Sequence, residues 1–155
     1  MQQPDRFVLD ASVAAKWFNN ESLTDKAIEV RDAFVQGKIR LLAPAQMVYE
    51  VGNSIWKNKA WIAEAENAMN AISNLIDMEI ESMQLNQEMA MDAMKIARDH
   101  SITFYDAAYI ALADHFDATL ISADDEILAK TKNKSRKENK EKPLMSIMHL
   151  KDFQI

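Results

Sequence analysis

Phe7-Val8-Leu9 is a short apolar run that stops abruptly at Asp10, the pattern of a buried strand leading into a turn. Ser12 to Gly37 reads as helical, with Ser12 a candidate N-cap and Gly37 the stop. Ile39 to Ala43 gives a second short strand. Pro44 then opens a helix in the position that tolerates proline best, carrying Met47, Val51 and Ile55. A third helix runs from about Ile62 to Ile76, with Ala65, Met69, Ile72, Leu75 and Ile76 on one stripe. Met78 to Leu85 alternates weakly, as a strand does. Gln87 to His100 sets Met89, Ala93, Met94 and Ala97 at helical spacing, and another helix follows Thr103. Thr119 to Ser122 is a strand that ends just before Asp124, Asp125 to Lys132 makes one or two helical turns, and Leu144 to Met148 is a last strand.

Strands alternating with helices predict an α/β protein: a three-layer α/β/α sandwich around a central, mostly parallel sheet. A length of 155 residues suits one domain spanning 1–155, and no internal repeat or boundary divides it. Only two glycines occur, Gly37 and Gly52, which excludes the Gly-rich phosphate loops of dinucleotide and P-loop proteins.

Composition adds limits rather than identity. The chain is 48% hydrophobic and 27% charged, as soluble globular proteins are. It has no cysteine, so disulfides and thiolate metal sites are unavailable. Met1 to Arg6 lacks the basic-then-apolar pattern of a secretory signal, and no apolar stretch nears the length of a membrane span. A cytoplasmic protein with no membrane association is the expectation.

Charge changes the picture more. The formal net charge is −6, yet Lys130 to Lys142 holds seven basic residues against two acidic ones. That segment is +5, and the remainder carries −11. With no apolar residue between Thr131 and Lys142, the segment reads as a loop outside the core. It is either an inert solvated insertion or a contact for RNA phosphates.

Acidic residues number 24, so position must filter them. Ligands of open parallel sheets bind at the carboxyl ends of the strands. Asp10 immediately follows the first strand and Asp124 closely follows a later one. Glu50 lies on a polar strip with Gln46, Asn53 and Ser54, and Asp106 sits in a first helical turn, three residues after Thr103. Each also has an ordinary reading. Asp10 caps a helix, Glu50 is solvated, Thr103 with Asp106 forms a capping-box variant, and Asp124 with Asp125 starts a helix.

As a set they resemble one arrangement. Val8-Leu9-Asp10-Ala11-Ser12-Val13 followed by Lys16-Trp17-Phe18 resembles the opening of a PIN domain. Pro44 with Glu50 and Asn53 resembles that family's second acidic motif. Thr103-Phe104-Tyr105-Asp106-Ala107-Ala108-Tyr109-Ile110-Ala111-Leu112-Ala113 resembles the third, and Leu120-Ile121-Ser122-Ala123-Asp124 the fourth, with Ser122 where threonine is usual. The likeness runs from Phe7 to about Leu128 and is strongest to VapC-type toxins of toxin–antitoxin pairs. It implies a metal-dependent endoribonuclease with Asp10, Glu50, Asp106 and Asp124 as catalytic and metal-holding residues. Ser12, Asn53, Ser122 and Asp125 stand as accessory groups, Asp124 being preferred to Asp125 because it aligns with the motif. It further implies an RNA substrate, a cognate antitoxin and a homodimer, for which the stripe from Ala65 to Ile76 with Trp56 or Trp61 is the candidate surface. The same stripe equally suits packing on the sheet.

Hard carboxylate oxygens suit Mg²⁺ or Mn²⁺, and His100, His115 and His149 are too scattered to suggest zinc. Carboxylates about 4 Å apart at an effective dielectric near 20 repel by roughly 4 kcal/mol per pair, which a cation relieves. Two rival classes remain. Another Mg²⁺-dependent phosphoryl hydrolase or receiver would want a second carboxylate beside Asp10, where Ala11-Ser12 stand instead. A catalytically inactive RNA- or partner-binding module of the same fold would keep the architecture without the chemistry.

Overall fold

The computed structural model describes residues 3–62, 64–132 and 145–155. Among them, β1 (Asp5–Leu9), β2 (Ile39–Pro44), β3 (Glu81–Met83), β4 (Thr119–Ser122) and β5 (Ile147–His149) form one parallel sheet in the order β3-β2-β1-β4-β5. β1 is the middle strand, and its Val8 stands opposite both Leu42 and Leu120. Helices cover both sides of the sheet, so Val8 and Leu9 are fully buried. This is why the strand reads as an unbroken apolar run instead of an alternation.

The helices are α1 (Ala11–Ala14), α2 (Thr24–Val35), α3 (Met47–Lys57), α4 (Lys59–Ile62), α5 (Ala65–Asp77), α6 (Gln87–His100), α7 (Phe104–His115) and α8 (Asp125–Lys132). α7 packs on β1, β2, β4 and α6, and its residues from Ala107 to Ala113 are all buried. Strand order reverses at β1, with β2 and β3 on one side and β4 and β5 on the other. Such a reversal leaves a crevice outside the carboxyl ends of the two diverging strands. Asp10 and Asp124 follow those two strands. No described helix is long and apolar enough to cross a membrane.

Three expectations need correction. The helix expected over Ser12–Gly37 is broken into α1, a 3-10 turn (Ala15–Trp17) and α2. Thr24 Oγ1 accepts from Glu21 N–H at 3.0 Å and donates to Glu21 O at 2.8 Å, and Leu23 adopts a left-handed backbone with φ 63°. Such local side-chain bonds compete with the helical ladder. Second, Pro44 ends β2 and does not open α3. β2 pairs with β1 only as far as Leu42, so a residue lacking an N–H is tolerated at that end.

Third, the helix expected over Ile62–Ile76 is α4 followed by α5, and its apolar stripe is divided. Ala71 and Leu75 are buried and Ile72 packs on the core, whereas Met69 is 64% and Ile76 55% exposed. Trp56 on α3 is 74% exposed, and the side chain of Trp61 lies outside the described residues. The strand expected over Met78–Leu85 contracts to β3, and the last to β5, with Leu144 outside the described residues. Of the basic stretch expected as a loop, Lys130 to Lys132 belong instead to α8, and 133–142 lies outside the described residues. α6, β4 and α8 have the expected bounds.

Candidate active site

Asp10 leaves β1 with its N–H donating to Ile121 O at 3.1 Å, so the chain is still held against β4 as it turns. Its side chain is 4% exposed. Oδ2 accepts from Ser12 Oγ and from Ser122 Oγ, each at 2.6 Å. Both hydroxyls are fixed in turn, Ser12 Oγ accepting from Ala123 N–H at 3.0 Å and Ser122 Oγ from Asp124 N–H at 3.1 Å. The result is a clasp joining the ends of β1 and β4. Asp10 stands at the N-cap position of α1 but makes no side-chain cap bond, and Ser12 lies inside α1. Neither residue is therefore the helix cap that its sequence position suggests.

The other acids converge on this clasp. Asp106 lies in the first turn of α7, where Thr103 Oγ1 accepts from its N–H at 3.0 Å, so the capping reading holds for Thr103. Asp124 is partly buried, and its Oδ1 accepts from Glu126 N–H at 2.8 Å and Ile127 N–H at 3.3 Å, starting α8. Glu50 on α3 accepts at Oε1 from Tyr109 Oη at 3.3 Å. Gln46 Nε2 donates to Tyr105 O at 2.8 Å, tying the start of α3 to that of α7.

Asp125 goes elsewhere. It is exposed, and its Oδ1 lies 3.1 Å from His149 Nε2 on β5. His149 Nδ1 accepts from Lys151 N–H at 3.0 Å, so the ring proton sits on Nε2, toward Asp125. Of the two adjacent aspartates, Asp124 is the one whose charge acts on Asp10 and Asp106.

The electrostatics express this convergence. Burial raises the Asp10 carboxyl above its usual range; the two serine hydroxyls oppose that rise, and Asp106 and Asp124 add to it. Burial, then the Asp10 charge, pushes Glu50 up to about 7, against the Tyr109 hydrogen bond, with Asp106 contributing further. Asp106 is raised by burial first, the Thr103 hydrogen bond opposing it, and then by Asp124 and Glu126, while Lys130 draws it down. Asp10 thus lies in the field of Asp106 and Asp124, and Glu50 in that of Asp10 and Asp106. Asn53 borders a cavity that Glu50 also lines.

Tyr109 and Gln46 are the groups that sequence reasoning did not single out. A signal for Tyr109 existed: it is the one polar side chain in the apolar run from Ala107 to Ala113, and a buried phenol needs a partner. Tyr109→Phe should move the Glu50 titration, followed by side-chain carboxyl NMR, further above about 7, because the opposing hydrogen bond is lost. An unmoved titration would show that the phenol does not hold this carboxylate.

The donor set is made of carboxylate oxygens with serine hydroxyls behind them, which fits a hard divalent cation. Among the described residues no three acidic or histidine side chains close around one point, so the arrangement is open, not a cage. That also suits Mg²⁺, which keeps several waters and takes one or two carboxylates plus substrate phosphate oxygens. A cavity of about 330 Å³ borders Asp106, Asp124 and Lys130, and another of about 470 Å³ borders Glu50.

The chain is similar to several known proteins. A model of the PIN domain matches residues 7–134. Ribonuclease VapC3 of Pyrobaculum aerophilum is 27% identical over 128 residues, 81% of this chain and 94% of that protein. Exonuclease VapC9 of the same organism is 29% identical over 102 residues, 65% of this chain and 74% of that protein. VapBC2 from Rickettsia felis, solved bound to a DNA fragment from their promoter, has a TM-score of 0.63 at 10% identity, covering 93% of this chain and 98% of that one.

Proposed function

Because this chain belongs to the PIN domain family, we propose that it is a Mg²⁺- or Mn²⁺-dependent endoribonuclease and the toxin of a toxin–antitoxin pair. The observation that carries the reading is the convergence of four carboxylates from four separate elements on the clasp between β1 and β4. Asp10, Asp106, Asp124 and Glu50 would hold the cation between them, one or two in direct contact and the others through its waters. When bound there, it supplies charge to the phosphoryl oxygens and makes water a stronger nucleophile near neutral pH.

The protein's own groups set the rest. Ser12 and Ser122 lock the Asp10 carboxylate in one orientation, so it is held in place before substrate arrives. Tyr109 fixes the Glu50 oxygen, and this carboxyl, pushed up to about 7 by burial and by the Asp10 charge in the cation-free protein, would release its proton when the cation binds. Cleavage of total RNA in the presence of Mn²⁺, mapped by end sequencing, tests the reading: internal cuts support an endonuclease, and loss of terminal nucleotides alone replaces it with an exonuclease.

A protein partner belongs to the same proposal. An antitoxin segment bearing Arg or Lys would complement the acidic crevice. Homodimerisation is supported by the outward half of the divided stripe, where Met69 and Ile76 stand exposed, and by the exposed Trp56. Light scattering at about 100 μM should give twice the chain mass, and Met69→Lys with Ile76→Lys should return it to the single-chain value. A monomer in the parent protein at that concentration would remove the dimer.

A further inference from the structure

The larger cavity is bordered by Glu50, the one site acid that reaches it, and by Glu21, and no role above uses it. Its floor is a closed polar network. Asn19 is 6% exposed; its Nδ2 donates to Ser54 Oγ at 2.9 Å and its Oδ1 accepts from Asn58 Nδ2 at 2.8 Å. Asn58 Oδ1 in turn accepts from Ala60 N–H at 3.1 Å, so the floor is pinned to the end of α3 and the start of α4. Its rim is different. Asn20, Asn53 and Lys57 are exposed and form no side-chain hydrogen bond or ion pair among the described residues. Glu50, Asn53 and Lys57 follow one another at helical spacing on α3, which sets a site carboxylate, an amide and an ammonium along one face.

We propose that this cavity is a nucleobase subsite, taking an unpaired adenine of single-stranded RNA beside the phosphate held at the carboxylates. The amides of Asn20 and Asn53 would read the base edge and Lys57 would meet a flanking phosphate. The inference rests on the nuclease reading above and deepens it.

Chemistry favours this occupant. A carboxamide presents a donor and an acceptor side by side, which matches adenine on both of its edges, N6 with N7 and N6 with N1. Cytosine offers such a pair on one edge only, and guanine offers two acceptors at N7 and O6. Proteins that read RNA sequence do so mostly on unpaired bases whose edges are free. A volume of about 470 Å³ falls within the range of small-ligand pockets. Charge points the same way. The body of the protein is acidic outside Lys130–Lys142, so a strand entering beside Glu50 gains little from long-range attraction and depends on short-range hydrogen bonds.

Two measurements test the subsite. In the first, AMP and CMP are titrated at millimolar concentration without added metal and followed by amide NMR. AMP should shift the side-chain amide signals of Asn20 and Asn53 and bind at least about fivefold more tightly than CMP, the low end of the discrimination expected of one bidentate amide contact. In the second, uridine oligonucleotides carrying a single A, C or G are cleaved with Mn²⁺. The parent should cut beside A at least about fivefold faster, with the gain in KM, and Asn53→Ala or Asn20→Ala should erase that preference. Asn53→Gln should restore part of it, which a merely structural role would not do. Cleavage with no base preference, or with a preference that both alanine variants retain, overturns the subsite and leaves the nuclease standing. AMP binding without any cleavage overturns the nuclease and leaves the pocket as a nucleotide site.

Discussion

Replacing Asp10 by asparagine should abolish cation-dependent RNA cleavage while leaving the cation-free protein at least as stable as the parent. The carboxylate is buried, and no cation among the described residues compensates it; its two hydrogen-bond partners are neutral serine hydroxyls. Asparagine keeps an oxygen for those hydroxyls to donate to but gives up the charge on which a cation depends. A loss of at least about 1,000-fold corresponds to about 4 kcal/mol of barrier. Asp106→Asn and Asp124→Asn should fall in the same range. Ser12→Ala and Ser122→Ala, which only release the orientation of Asp10, should cost about 10–100-fold. Asp125→Asn should change the rate little, because that side chain faces His149. The measurements are cleavage of a fluorescent RNA with Mn²⁺ and urea denaturation without it. Full activity in the Asp10 and Asp106 variants would end the mechanism.

The second large effect is on stability, and it couples metal to pH. Glu50 titrates near 7 when folded against an ordinary 4.5, and Asp10 and Asp106 are displaced in the same direction. A raised carboxyl binds its proton more tightly in the folded state, so folding is favoured by protons over that interval. For Glu50 the penalty is absent below about 4.5, grows as pH rises, and is complete above about 7. The cation-free protein should therefore melt at a lower temperature at pH 8 than at pH 5.5. Asp99 and Glu126 are lowered instead, by Arg98 and Lys130, and act only at more acidic pH. Mg²⁺ or Mn²⁺ at about 100 times its dissociation constant should add about 2.7 kcal/mol at pH 8. At the same cation concentration the gain should shrink at pH 5.5, where protons occupy the same oxygens. Scanning calorimetry at both pH values checks this. A melting temperature that stays constant through a saturating titration at pH 8 would count decisively against a cation site.

Much of this was readable in the chain because buried parallel strands and strand-end acids leave plain marks. Phe7-Val8-Leu9 before Asp10, and Thr119 to Ser122 before Asp124, need little context: an apolar run stops where a carboxylate emerges. Asp106 was legible because Thr103 marks the helix start. Other features depended on partners far away in sequence. The break after α1 reflects Asn19 reaching Ser54 and Thr24 folding back on Glu21, neither visible in local periodicity. Pro44 fits a helix start as well as a strand end, and only the short β1–β2 pairing decides between them. The stripe on α5 looked uniform, yet packing on α3 covers Ile72 and leaves Met69 in solvent. Ser12 was placed near the site, but its hydrogen bond to Asp10 required β4 to be in position.

The clasp has a consequence for the order in which the proposed site is assembled. Ser122 follows Asp10 by 112 residues, and the bond between them joins strands that no shorter piece of chain contains. At a synthesis rate of roughly 5–20 residues per second, about 6–20 s separate the emergence of the two. Throughout that interval Asp10 has neither its second hydroxyl nor the Asp124 charge beside it. On the proposed mechanism a growing chain on the ribosome is inert, and a chain cut short before β4 stays so. Its site is complete only when the final quarter of the protein docks, which builds a delay into the chain between synthesis and activity.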